Sequence, residues 1–120
     1  SCRAIDDTDT RVADMLAAFA GHPLFVFHPA YGYFTRRYRL IQLAVEEDGR
    51  APSARRLATV VGELPPQQVP ALFVQPQFSR SAAERVANAL DCELVELDPL
   101  AGDYLANLEI MADRIAGALR

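Results

Sequence analysis

Among the groups in this chain able to do chemistry, one histidine stands where an apolar run stops and one aspartate stands just past a stretch of strand length. His28 follows Leu24 to Phe27 in the stretch FVFHPAYGYF, and Asp98 follows the run ending at Leu97 in ELDPLAGDYLANL. Imidazole nitrogen and carboxylate oxygen are both good donors to zinc and manganese. A lone histidine is also a common hydrogen-bonded structural residue, and Asp before Pro a common turn starter. On these residues alone, a pair of metal ligands and a pair of structural groups both remain open.

The other candidates are weaker. Glu46, Glu47 and Asp48 offer paired carboxylates, but with Gly49 beside them they read as a solvated turn. His22, in Gly-His-Pro after a helical stretch, reads as exposed or held at the negative end of that helix. For Cys2 and Cys92, which form no CxxC, free thiols and a disulfide both remain open. The chain carries no GxGxxG, no P-loop, no HExxH and no GxSxG, so dinucleotide binding, P-loop chemistry, zincin proteolysis and esterase chemistry have no motif support.

These residues need a scaffold, and the composition allows one. At 120 residues, 51% hydrophobic and 23% charged, the chain reads as one globular domain with its own core. Its basic residues are all arginine and its net charge is −4, which argues against nucleic acid as a partner. The densest basic stretch, Arg36, Arg37 and Arg39 among Tyr33, Phe34 and Tyr38, reads as a short amphipathic helix with solvated arginines. No apolar run approaches the roughly 20 residues of a membrane span, and Ser-Cys-Arg-Ala lacks the pattern of a signal peptide. A first residue other than Met suggests a piece of a longer chain.

Strand-length apolar runs alternate with stretches of helical period. Ile5, Val12, Met15, Leu16 and Phe19 share one side of a helix that Gly21 can end. Strands are expected over Leu24 to Phe27, Leu40 to Val45, Ala71 to Val74 and Glu93 to Leu97. Between them, a helix over 53–63 carries Leu57, Val60 and Val61 inward and closes at Pro65 and Pro66, and a second starts at a Ser81-to-Glu84 capping box. The last helix carries Leu105, Leu108, Ala112, Ile115 and Leu119. The expectation is an α/β fold, a four-stranded parallel sheet with helices on both faces. Ligands in such sheets bind beyond the carboxyl ends of the strands, which singles out His28, the 46–48 turn, Gln75 and Asp98.

Taken together, FVFHPAYGYF, LFVQPQFS and ELDPLAGDYLANL resemble the C-terminal lobe of the periplasmic metal-binding proteins that serve zinc and manganese ABC importers. The resemblance runs from about Ile5 to Arg120. It implies two α/β lobes joined by a long helix, with metal in the cleft, two histidines from the first lobe, and a histidine or glutamate plus an aspartate from the second. His28 matches the histidine of H-x-A-Y/F-G-Y-F, and Asp98 matches the aspartate of D-P/S-L/I. Tyr31, Gly32, Tyr33 and Phe34 match the rest of the first motif, whose aromatics would pack the loop around the imidazole. Gln75 stands where relatives often have glutamate.

On this resemblance, residues 1–22 are the end of the connecting helix and 23–120 the C-terminal lobe, with the first lobe and its histidines absent. The implied cargo is zinc, with manganese as alternative, held weakly by this lobe alone. The implied partners are the missing N-terminal lobe and an ABC permease, on the periplasmic or extracytoplasmic side. The severed interface would leave an apolar patch near the first helix and favour self-association. Two other classes stay open: a small metal-dependent hydrolase using Glu46, Glu47 or Asp48 as base, and an α/β interaction module with an incidental histidine.

Overall fold

The computed structural model describes residues 2–63 and 71–120, the Val61 side chain excepted. Helix α1 (Cys2–Leu16) runs into a 3-10 turn and is followed by β1 (Pro23–Val26), α2 (Gly32–Arg37), β2 (Ile41–Ala44), α3 (Ala54–Glu63), β3 (Ala71–Val74), α4 (Arg80–Leu90), β4 (Glu93–Glu96) and α5 (Tyr104–Leu119). The four strands form one sheet in the order β2-β1-β3-β4, and all three pairings are parallel. All four expected strands are present, each within two residues of the anticipated span. The inward place of Val61 and the stop at Pro65 and Pro66 lie outside the described residues.

Strand alternation builds a core on each face of the sheet. Leu24 and Val26 of β1, with Ala71 and Phe73 of β3, pack on one face against Val12 and Leu16 of α1, Phe34 of α2, and Met111, Ala112, Ile115 and Ala116 of α5. Phe25 and Phe27, with Leu72 and Val74, pack on the other against Val60 of α3 and Ala83, Val86, Ala87 and Leu90 of α4. The two central strands are thus apolar throughout because both their sides are covered. Among the described residues, no helix is long and apolar enough to cross a membrane.

Helix boundaries and faces differ from expectation in three places. The cap of α4 is Ser79, whose Oγ accepts from the Ala82 N–H at 3.3 Å, while Ser81 lies inside the helix and Glu84 pairs with Arg80 at 3.1 Å. Both serines can cap, and Phe78, docked against the second core, fixes where the chain turns. Ile5 is exposed, because residues 2–7 of α1 all lie clear of the core and burial begins at Thr8. Along α5 the buried stripe runs through Asn107, Met111, Ala112, Ile115 and Ala116, leaving Leu105, Leu108 and Leu119 half-buried at its margin.

Arg37 is no idle surface charge. Its Nε and Nη2 donate to the two oxygens of Asp9 at 3.0 and 2.7 Å, and the Tyr38 hydroxyl donates to Asp9 Oδ1 at 2.9 Å. This fork joins α1 to the helix that follows the His28 loop. The bonds from Arg37 and then Tyr38 hold the Asp9 carboxyl below its ordinary value. A carboxyl depressed in the folded state adds stability above the unfolded pKa, near 3.9, and loses it as pH falls through the folded value. Urea midpoints of wild type and Asp9→Asn are expected to differ at neutral pH and to converge as pH drops below about 4. A gap unchanged down to the acid limit would mean that the fork does not titrate.

Candidate metal centre

Strand register determines which residues meet at the carboxyl edge of the sheet. Val26 of β1 pairs with Ala44 of β2 and with Phe73 of β3. Two residues further on, His28 falls beside Glu46 on one flank and Gln75 on the other. Val74 pairs with Glu96, which places Gln75 beside Leu97 with Asp98 one step beyond. The ladder continues past the strands through Glu46 N–H to Phe27 O at 3.1 Å and Leu97 N–H to Val74 O at 2.8 Å. His28 and Asp98 therefore share one edge, flanking the carboxyl end of β3.

The His28 imidazole is held on two sides. Its Nδ1 lies 2.8 Å from Glu46 Oε1, and its ring stacks, tilted, on Phe78 with centroids 4.9 Å apart. The Glu46 side chain is only 12% exposed and that of His28 is 38% exposed. The contact is close but outside hydrogen-bond alignment. Nδ1, Glu46 Oε2 and Gln75 Oε1 are thus buried without a hydrogen-bond partner among the described residues. Three such atoms on three neighbouring strand ends are costly without a compensating group.

Asp98 is ordered by its own loop. Its Oδ1 accepts from the Leu100 N–H at 2.9 Å, and its carbonyl accepts from the buried Asn107 Nδ2 at 2.9 Å. Tyr31 ties the two halves of the edge together: its hydroxyl donates to Leu97 O at 2.6 Å and its N–H donates to Gln42 Oε1 at 2.8 Å. Burial, followed by the nearby charges of Asp98 and Glu96, raises the Tyr31 phenol well above its ordinary value, so it remains a donor. Of the motif aromatics, Tyr31 and Phe34 pack the loop as expected, whereas Tyr33 is 69% exposed and the ring on the imidazole is Phe78.

The solvated-turn reading holds for Glu47 and Asp48, which are exposed, and fails for Glu46, which follows buried Val45 and turns back under the histidine. Its signal is positional: Glu46 stands two residues past the end of β2, as His28 stands two residues past the end of β1. Among the described residues no group of three or more His, Cys, Asp or Glu side chains could hold a metal ion. The two cysteines are free, and burial, the largest influence, pushes the Cys92 thiol up to about 11. His22 Nδ1 lies 3.0 Å from Phe19 O at the end of the first helical segment, as its position suggested.

Exposed large apolar residues occur on several elements, Ile41 and Leu43 of β2 among them. Leu100 is 80% exposed, and Tyr104, like Tyr33, is open to solvent. Ile5 of α1 is exposed, and exposed Ile110 lines a shallow recess with Met15 and Ala106.

A three-layer parallel α/β unit with this edge has the fold of periplasmic metal-binding proteins. It superposes on the periplasmic zinc binding protein TroA from Treponema pallidum with a TM-score of 0.77 at 20% identity, a likeness of fold alone, over 98% of this chain and 49% of that one. The chain belongs to the ZnuA family, whose model, zinc-uptake complex component A, periplasmic, matches residues 2–118. A crystal structure of ZnuA is similar with a TM-score of 0.83 and 30% identity, covering 93% of this chain and 44% of that chain. The high-affinity zinc uptake system protein ZnuA of Haemophilus influenzae is 31% identical over 100 residues, 82% of this chain. The present chain spans about 30% of the length of that curated relative.

Proposed function

We propose that this chain is the C-terminal lobe of the zinc-binding component of an ABC importer, with His28 and Asp98 as its ligands to the metal. The observation that carries this reading is the parallel register that brings a half-exposed, stacked imidazole and a loop-ordered carboxylate to one sheet edge. Zinc is the cargo favoured over manganese, because imidazole nitrogen suits zinc better. Two ligands fall short of the four that zinc usually takes, so the remaining donors belong to an N-terminal lobe facing this edge.

In this reading residues 1–22 end the connecting helix, 23–120 form the lobe, and Tyr33, Leu100 and Tyr104 lie where the partner lobe closes. Separated from that lobe, the same residues favour self-association. The protein works on the periplasmic or extracytoplasmic side, hands its ion to a membrane permease and catalyses nothing. The likeness to proteins named for zinc uptake supports that role.

Zinc-edge X-ray absorption on the full-length protein tests it. A single bound ion coordinated by a mixture of imidazole and carboxylate is expected, with the imidazole signal reduced in His28→Ala. No ion retained at equimolar zinc, or an imidazole signal that His28→Ala leaves intact, would overturn the assignment.

A further inference from the structure

We infer that Glu46 is the positioning residue of the metal site: it takes the Nδ1 proton of His28 as its hydrogen-bond partner and thereby turns the Nε2 lone pair toward the metal. This rests on the reading of His28 as a ligand. A neutral imidazole carries one proton on one of two nitrogens, and only the bare nitrogen can bind a metal. Glu46 Oε1 lies 2.8 Å from Nδ1. At that separation a nitrogen lone pair and a carboxylate oxygen repel, whereas an Nδ1–H attracts the oxygen and hydrogen-bonds it once the ring turns into line. The proton therefore belongs on Nδ1.

The surroundings reinforce the choice. The Glu46 side chain is 12% exposed, so water competes poorly for its oxygens. Phe78 lies against the imidazole ring with centroids 4.9 Å apart, so the imidazole is backed on one side by an aromatic ring. Nδ1 and Glu46 Oε2 have no hydrogen-bond partner among the described residues, so the pair is poised but not closed. A metal drawing on Nε2 makes Nδ1–H a stronger donor and closes it. Position is dictated by the backbone: Glu46 N–H donates to Phe27 O at 3.1 Å, which fixes the glutamate beside the histidine's own strand end.

The test uses the full-length protein with zinc as the probe, comparing wild type, Glu46→Leu, Glu46→Gln and His28→Ala. Leucine fills the same space without an acceptor, while glutamine keeps an acceptor oxygen. Zinc affinity is expected to fall by roughly 10–100-fold in Glu46→Leu and by less in Glu46→Gln. In the metal-free protein, nitrogen-15 spectra of His28 are expected to report the Nδ1–H tautomer in wild type and Glu46→Gln, and a shift toward Nε2–H in Glu46→Leu. Wild-type affinity in Glu46→Leu, or an unchanged tautomer there, would overturn the inference while a loss in His28→Ala left the ligand assignment standing. Unchanged affinity in His28→Ala would instead overturn the assignment on which it rests.

Discussion

In the full-length protein the double variant His28→Ala, Asp98→Ala is expected to lose zinc affinity by well over ~100-fold. Outer groups that merely orient a ligand cost roughly 10–100-fold, and removal of the ligands themselves exceeds that. The single variants carry separate information. His28→Ala is expected to cost more than Asp98→Ala if zinc is the cargo, because imidazole is the better zinc donor of the two. The reverse order, together with manganese binding that outlasts zinc binding, would point to manganese. Competition with a chromophoric chelator measures all four proteins, and thermal melting of each metal-free form separates lost binding from lost folding. A folded double variant with full affinity for both metals would show that neither residue is a ligand.

On the proposed two-lobe reading, a second large effect is expected from separating this chain from the other lobe. The chain alone is expected to bind zinc at least ~1,000-fold more weakly than the full-length protein, since each 1.4 kcal/mol of lost coordination is about tenfold and two of the four usual ligands are gone. Calorimetry on both proteins under one buffer gives the ratio directly. Adding the N-terminal lobe as a separate chain is expected to recover only part of the loss, because tethering keeps the two halves at high effective concentration. Equal affinity of the chain and the full-length protein would mean that this lobe holds a complete site, and the two-lobe reading would fail.

Much of the arrangement is legible in the sequence, for reasons that differ residue by residue. β1 and β3 announced themselves as unbroken apolar runs, because a central strand covered on both faces needs nothing polar. His28 stands out because it interrupts such a run where the sheet must end, and Asp98 because it follows the last expected strand, Glu93 to Leu97. Glu46 did not stand out. In sequence it is one of three acids beside a glycine, the signature of a solvated turn, and only the pairing of β1 with β2 separates it from Glu47 and Asp48. Phe78 was equally silent, since nothing local says that a ring after β3 will reach an imidazole after β1. Arg37 read as solvated because its partner, Asp9, lies 28 residues away on another helix.

The sequence by itself determined the parallel α/β order, the apolar strands and the two residues at their ends, since periodicity and the points where apolar runs stop are local properties of the chain. Tertiary structure alone decided which acid faces the histidine, which ring lies against it, which serine caps α4 and how α1 is tied to α2. Each of those outcomes depends on contacts between residues far apart in the chain, and such contacts exist only once the sheet register and the packing of helices on it are fixed.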